Sequence, residues 1–249
     1  FKQLTGQKPP LKTDDHGWSL WAKFHRDSYV SFQKRCAEAI RAIKPECLFS
    51  DNWAYSLHQP DEVPECIDWL SCDVTPMYGA RHASFETRFL QWRGKPYDIM
   101  TWNCVYDRQP RRRAQYKSTQ HLLQEGAVIL ANGARWFVWD NPTDSDDLIE
   151  HVHLQMQELA QFAQDRKDLV LKTKSLPWVA VLNGQSSHYT QGQGMFEYQG
   201  PIYGALRGLS AILNEESVHF DILNEETICR RAQLYRLLIV ASQNLISQR

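Results

Sequence analysis

The fold is decided by residues 95–139, in which two strand-like segments enclose one long helical pattern. The segment begins Lys95-Pro96-Tyr97-Asp98-Ile99-Met100-Thr101-Trp102-Asn103, continues as a helical pattern over about 114–132 that Gly133 closes, and ends Arg135-Trp136-Phe137-Val138-Trp139. A strand, a helix and a second strand in this order pair their strands in parallel, with the helix packed over the sheet in a right-handed crossover. This segment therefore predicts part of a parallel α/β sheet.

The same alternation extends to both sides of this segment. Short strands are predicted at Cys47-Leu48-Phe49-Ser50 and at 67–74, and helices at 18–43, at about 84–92 and at 148–162. In the first helix apolar residues recur at spacings of three and four, which predicts one buried face formed by Tyr29, Phe32, Cys36, Ile40 and Ile43. Four strands that alternate with helices correspond to half of a (β/α)8 TIM barrel.

The pattern changes near residues 172–175. A new buried strand is predicted at Pro177-Trp178-Val179-Ala180-Val181-Leu182, followed by a polar loop over about 184–200, a helix at 202–214 and strands at 218–223 and 235–240. This order is typical of the start of a flavodoxin-like α/β domain. We therefore predict two domains, residues 1–172 and residues 173–249.

Charge and hydropathy exclude two classes of partner. The 249 residues include 28 Lys and Arg against 29 Asp and Glu, a formal net charge of −1, whereas a nucleic-acid binder needs a basic excess. No stretch approaches about 18 consecutive apolar residues, so we expect no membrane span. Phe1 is not followed by a charged and then apolar leader, so we expect no signal peptide, and a start without Met indicates a processed chain or a fragment.

The cysteine and histidine patterns argue against a metal centre. The six cysteines form no Cys-x-x-Cys pair, and several lie in apolar segments, as free buried thiols do. Free thiols favour a reducing, cytoplasmic location. His151 and His153 form a His-x-His, but on a helix these side chains point about 200° apart and do not bind one ion together. We therefore expect no metal and no other cofactor.

Polar and aromatic residues follow the predicted strands at their C-terminal ends, where a barrel of this type places its active site. These residues are Asp51, Asn52 and Trp53 after the first strand, Trp102 and Asn103 after the third, and Trp139 and Asp140 after the fourth. Aromatic residues make up 12% of the chain. They either fill the core or stack on sugar rings, and the polar residues either cap loops or bind sugar hydroxyls. The repeated pairing predicts a carbohydrate-binding rim.

Two carboxylates are candidates for the chemistry of glycoside hydrolysis, which uses a pair of them. Asp73 ends the second strand beside Tyr78, and burial there would raise its pKa, as a general acid requires. Its alternative role is to cap a loop amide. Glu86 follows the same strand and is the second candidate, with a solvated position in the first turn of a helix as its alternative.

Several segments, in their order along the chain, resemble glycoside hydrolases. The segments Leu4-Thr5-Gly6, Phe49-Ser50-Asp51-Asn52-Trp53 and Lys95-Pro96-Tyr97-Asp98-Ile99-Met100-Thr101-Trp102 are similar to the α-L-fucosidase-like group, also called hypothetical glycosyl hydrolase 6. The segments Glu125-Gly126-Ala127 and Ala131-Asn132-Gly133-Ala134-Arg135, with the strand that follows, resemble the last helix and strand of such barrels. The segments Tyr203-Gly204-Ala205-Leu206, Phe220-Asp221-Ile222-Leu223 and Tyr235-Arg236-Leu237-Leu238-Ile239-Val240 resemble the trimerisation domain of family 42 β-galactosidases.

The resemblance implies the C-terminal half of a TIM barrel, strands 5 to 8, with the nucleophile of strand 4 upstream of residue 1. It implies an α-L-fucosidase, a carbohydrate substrate and a homotrimer for the full-length protein. A β-galactosidase relative would carry Glu at the end of strand 7, where this sequence has Trp102-Asn103. A β-galactosidase-type hydrolase and a non-catalytic carbohydrate-binding or assembly protein remain the alternatives.

Overall fold

The structure, a computed structural model, describes residues 1–74, 76–106, 114–140, 147, 149–191 and 200–244. The strands are β1 (Leu70–Asp73), β2 (Tyr97–Trp102), β3 (Cys104–Tyr106), β4 (Ala114–Tyr116), β5 (Arg135–Trp139), β6 (Val179–Leu182), β7 (Phe220–Leu223) and β8 (Leu237–Ile239). The α-helices are α1 (Lys2–Thr5), α2 (Trp18–Ile43), α3 (Gly79–Leu90), α4 (Thr119–Ala131), α5 (Glu150–Val170), α6 (Gln185–Gln191), α7 (Pro201–Glu215) and α8 (Glu225–Arg231). Within the described part of the chain, every helix is too short or too polar to cross a membrane.

The first sheet is parallel, as the alternation of strands and helices predicts. Its strand order is β1-β2-β5, and Asp73 pairs with Met100, which pairs with Phe137. Helix α4 crosses between β2 and β5 and ends at Ala131, with Asn132 as its C-cap, and Gly133 follows with a left-handed φ of 78°. Glycine is the residue that adopts this conformation most readily, so the prediction that Gly133 closes this helix is confirmed.

The prediction of one helix over 114–132 is wrong in its first residues. Ala114–Tyr116 forms strand β4, which pairs antiparallel with β3. The helix begins only at Thr119, because the hydroxyl of Ser118 accepts a hydrogen bond from the backbone N–H of His121 and caps its first turn.

The first predicted strand, Cys47-Leu48-Phe49-Ser50, is wrong as a regular strand. The chain there runs beside β1 but forms a single parallel bridge, between Asn52 and Ser71. The carbonyl of Phe49 accepts from the backbone N–H of Asp68, and the Ser50 hydroxyl donates to the carbonyl of Trp69. This segment pairs with β1 through scattered contacts, as expected of a sheet edge with a neighbour on one side.

The buried face predicted for α2 is also wrong in part, although the helix has the expected bounds. Phe32, Ile40 and Ile43 are exposed, whereas Gln33 and Ala37 are buried. Polar contacts fix this orientation of the helix, since Gln33 donates to the Asp51 carboxylate at the edge of the sheet.

The second sheet is parallel with the order β7-β6-β8, so its first strand lies between the next two. Part of the loop predicted over 184–200 is helix α6, while residues 192–199 lie outside the described residues. Helix α6 begins where the Glu225 carboxylate accepts from the backbone N–H and the hydroxyl of Ser186, a long-range contact that local sequence does not show.

Among the residues that the structure describes, two hydrophobic clusters form the core, one under each sheet, and α3 contributes to both. Ala83 and Leu90 pack in the first cluster, and Phe85 and Phe89 pack in the second. Arg88 of the same helix donates to the carbonyl of Phe220 on β7. Helix α3 therefore joins the two sheets, and the division at residues 172 and 173 stays a prediction.

Candidate functional site

Three of the predicted site residues share one face of the first sheet, at the C-terminal ends of its strands. Trp102 and Trp139 are register partners, and their ring centroids lie 4.7 Å apart. Asp73 pairs with Met100, which precedes Trp102 by two residues and so points to the same face. Trp53 belongs to the same group, because its side chain is close enough to the Asp73 carboxyl to lower the pKa of that group. We call Asp73, Trp53, Trp102 and Trp139 the strand-end cluster.

The Asp73 carboxyl lies in surroundings that favour its protonated form. The residue is 6% exposed. Burial raises its pKa, and the side chains of Trp53 and Trp102 lower it less than burial raises it. Among the described residues, Oδ1 of Asp73 has no hydrogen-bond partner. A raised pKa and an available oxygen are what a general acid requires.

The backbone holds Trp53 in an unusual conformation. Its φ is 62°, in the left-handed region that a non-glycine residue rarely adopts, and its N–H donates to the carbonyl of Ser71. The indole ring stacks on His58, with centroids 4.9 Å apart and planes 23° apart. Such strained positions concentrate at functional sites, since the surrounding contacts must fix them.

The polar residues of the predicted rim lie mainly in contacts within the protein. Asp51 accepts from the Tyr29 hydroxyl at 2.5 Å and from Gln33 Nε2 at 3.1 Å, so it joins α2 to the sheet edge. The side-chain amide of Asn103 donates to Asp140 at 2.5 Å. These contacts match the loop-capping alternative more closely than a sugar-binding role.

Asn52 differs from these residues because it is exposed. Its backbone forms the bridge to Ser71 at the sheet edge. Its side chain is therefore accessible to a ligand, and the sugar-binding role predicted for it stays a prediction.

The structure does not place Glu86 beside the strand-end aromatics. Glu86 is 0% exposed on α3, and its Oε1 lies 3.1 Å from Nε2 of His58 and 3.4 Å from Nε2 of His82. Burial acts to raise the pKa of Glu86, but the two histidines outweigh it and lower the pKa to about 2. Glu86 is therefore ionised near neutral pH, the opposite of a general acid.

Glu86 and Asp73 also approach β1 from different faces. The Cys72 thiol lies beside Glu86 and interacts with it, and neighbouring residues of a strand point to opposite faces of the sheet. Asp73 therefore faces the strand-end cluster, while Glu86 lies on the helix-covered side. The catalytic role of Glu86 stays a prediction, and the geometry argues against it.

Sequence reasoning missed the histidines around Glu86. His82 and Glu86 are four residues apart on a helix, a spacing that brings two side chains onto one face and could have indicated the pair. His58 reaches them from a loop 28 residues away from Glu86 in sequence, and no local pattern indicates this approach. The His151 and His153 pair, by contrast, is exposed on α5.

No protein-family model and no curated protein matches this sequence. Solved structures do match it. The α-L-fucosidase isoenzyme 2 from Paenibacillus thiaminolyticus aligns with a TM-score of 0.72 and 22% identity over 95% of this chain. A β-galactosidase from Rahnella sp. R3 aligns with a TM-score of 0.66 and 15% identity over 96% of this chain. Gan42B, a GH42 β-galactosidase, aligns with a TM-score of 0.65 and 16% identity, also over 96%.

These alignments show a shared fold. The chain spans 34% of the length of the fucosidase and 40% of the length of each β-galactosidase. Its arrangement of helices and parallel sheets is therefore the arrangement found in part of these glycoside hydrolases, and the resemblance seen in the sequence is confirmed at the level of the fold.

Proposed function

We propose that this chain is part of a glycoside hydrolase that removes a terminal sugar, with an α-L-fucoside as its substrate. Residues 1–172 supply strands 5 to 8 of a (β/α)8 barrel, and residues 173–249 supply the start of a flavodoxin-like domain of the trimerisation type. The order β1-β2-β5 supports the first assignment, and the order β7-β6-β8 supports the second, since flavodoxin-like sheets place their first strand between the next two.

The observation that carries this proposal is the strand-end cluster. A buried carboxyl with a raised pKa lies at the C-terminal end of a parallel strand, beside aromatic rings that face the same side of the sheet. In this proposal Asp73 protonates the glycosidic oxygen, and Trp102 and Trp139 stack on the sugar. The nucleophilic carboxylate comes from a part of the enzyme outside this sequence, as the resemblance implies.

The test is a comparison of two aspartate variants in the full-length protein. Asp98 is a matched control for Asp73, because it lies on the same face of the sheet and burial raises its pKa too, while Ser71 donates to it at 2.6 Å. We expect Asp73→Asn to lower kcat on an alkyl α-L-fucoside by about 10²–10⁴-fold, and Asp98→Asn to lower it by less than about tenfold.

A general acid has a second signature. Substrates with a good leaving group need little protonation, so Asp73→Asn should retain far more activity on 4-nitrophenyl α-L-fucoside than on an alkyl fucoside. Equal losses on both substrates, or equal losses in the Asp73 and Asp98 variants, would contradict the proposed role. An inactive wild-type protein that still binds fucose would instead support the non-catalytic alternative.

A β-galactosidase is the second candidate, since two of the matching structures are β-galactosidases. The end of β2 argues against it, because Trp102 and Asn103 stand where the resemblance to family 42 β-galactosidases implies a glutamate. Hydrolysis of a β-D-galactoside without hydrolysis of an α-L-fucoside by the full-length protein would select this candidate.

A further inference from the structure

A second group of side chains lies behind the strand-end cluster, on the helix-covered side of β1. It consists of His58, His82 and Glu86, which we call the His-His-Glu cluster. All three residues are buried, and one donor atom from each lies within 4.8 Å of the other two. We propose that the His-His-Glu cluster binds one Zn²⁺ ion, which fixes the loop that carries Trp53.

The distances agree with coordination. Zinc binds histidine nitrogen at about 2.0–2.1 Å and carboxylate oxygen at about 2.0–2.2 Å, and two such donors on a tetrahedral ion lie about 3.3–3.5 Å apart. In the structure Glu86 Oε1 is 3.1 Å from His58 Nε2 and 3.4 Å from His82 Nε2. Both histidines therefore present the same ring nitrogen to the same oxygen, as ligands of one ion do.

The hydrogen bonding of Glu86 also favours an ion between the three residues. Although two nitrogens lie this close, Glu86 Oε1 forms no hydrogen bond that meets the usual distance and angle limits with any described residue. A carboxylate that is 0% exposed requires compensation for its lost hydration. A divalent cation supplies this compensation, and imidazole with carboxylate is a donor set that zinc binds.

The chain brings the donors together in two ways. His82 and Glu86 are four residues apart on α3, so their side chains lie on one helix face. His58 comes from the loop that follows Trp53 and Tyr55, both of which have a left-handed φ of 62°. The turn that these two residues make directs His58 toward α3.

A second buried glutamate shows how the cluster would look without a metal. Glu125 also has a histidine four residues before it on its helix, with His121 Nε2 at 3.2 Å from Oε1. There the third position is occupied by Lys117, whose Nζ lies 2.7 Å from the same oxygen and compensates the charge directly. In the His-His-Glu cluster a second histidine stands in place of the lysine.

The ion would stabilise one contact that reaches beyond the cluster. His58 stacks under Trp53, which belongs to the strand-end cluster. The Tyr203 hydroxyl on α7 lies 3.0 Å from Nε2 of His82, and zinc on this nitrogen would replace that contact. Metal loss would therefore loosen the strand-end tryptophan and restore the contact between Tyr203 and His82.

The experiment measures metal binding and needs no enzymatic activity, so its outcome is separate from that of the proposed function. The full-length protein is dialysed against a chelator and titrated with Zn²⁺ and with Co²⁺. We expect about one equivalent of zinc per chain and a visible cobalt spectrum of tetrahedral nitrogen and oxygen ligation. His82→Gln and Glu86→Gln should each lower affinity by at least about tenfold, whereas His121→Gln, the matched control, should bind as wild type does.

The cobalt spectrum of the wild type keeps the proposal testable even where a variant fails to fold. A spectrum with sulfur-to-cobalt charge-transfer bands would place the metal on cysteines and overturn the proposal. Binding of less than about a tenth of an equivalent, or equal affinity in the His82 and His121 variants, would overturn it too.

Discussion

Gly126 is the position where a single added methyl group should reveal how tightly α4 packs on the sheet. A Cβ atom there would lie 2.4–2.6 Å from three carbons of the Trp136 six-membered ring, well inside van der Waals contact. The ring has little freedom to retreat, because its Nε1 donates to the buried Thr101 hydroxyl at 2.9 Å. Gly126→Ala therefore forces either the helix or the indole to move.

The expected loss of stability follows from three contributions. Overpacking of a core costs about 1–3 kcal/mol, and disruption of the hydrogen bond between Trp136 and Thr101 costs about 1 kcal/mol more. Alanine is better than glycine inside a helix by about 1 kcal/mol, which offsets part of this. We expect Gly126→Ala to lower the free energy of unfolding by about 1–3 kcal/mol, with a fall in Tm of about 2–4 °C per kcal/mol.

The assay is urea unfolding followed by far-UV circular dichroism, with Gly208→Ala as the matched control. Gly208 is exposed on α7, and a Cβ there would meet nothing within 4 Å, so the same substitution should stabilise by about 0.5–1 kcal/mol. In a Trp136→Phe background the cost of Gly126→Ala should fall, because the smaller ring leaves room. A Gly126→Ala protein as stable as wild type would refute the packing argument.

Three further predictions concern charge and the candidate site. The backbone N–H of Phe49 lowers the pKa of Asp68, against the effect of burial and with help from Arg41. The stability that the ionised Asp68 contributes is present above the ordinary carboxyl pKa of about 4 and is lost as the pH falls through the lowered pKa. Asp68→Asn should therefore lower the free energy of unfolding by about 1–2 kcal/mol at pH 7 and flatten the acid side of a curve of stability against pH. Lys117→Met should cost about 3–5 kcal/mol at pH 7, because Glu125 stays buried without its cation. Burial raises the pKa of Glu125, so this loss should shrink as the pH is lowered, and adding Glu125→Gln should restore part of it; a pH-independent loss would contradict the ion-pair argument. Trp139→Ala should raise KM for the sugar about tenfold, measured by initial rates, whereas Phe137→Ala, two residues earlier on the same face of β5, should leave KM within about threefold.

Local sequence patterns were sufficient for the parallel unit of β2, α4 and β5. The apolar run that ends at Trp102, the helix that Gly133 closes and the run that ends at Trp139 predict a parallel unit, and the structure contains it. They succeed because strand and helix periodicity, together with glycine at a left-handed position, depend on neighbours close in the chain. Trp102 and Trp139 of the predicted rim are register partners and lie together, and the sugar-binding role predicted for them stays a prediction.

Local patterns failed where a residue found its partner far along the chain. Helical spacing predicts that Phe32 lies in the core, yet the structure turns α2 so that Gln33 donates to Asp51 and Phe32 is exposed. Helix α6 was missed because its first turn is held by the carboxylate of Glu225, 39 residues away from Ser186. Neither contact leaves a periodic signal in the sequence.

The sequence by itself determined the alternating α/β architecture, the likeness to glycoside hydrolases and the choice of Asp73 as a carboxyl at a strand end. Only the tertiary structure decided that the pKa of Glu86 shifts in the opposite direction to that of Asp73. Burial raises the pKa of Asp73 although Trp53 and Trp102 act to lower it, whereas His58 and His82 lower that of Glu86 despite its deeper burial. Periodicity records which face of an element is apolar, but the pKa of a buried group depends on which charges from distant segments surround it.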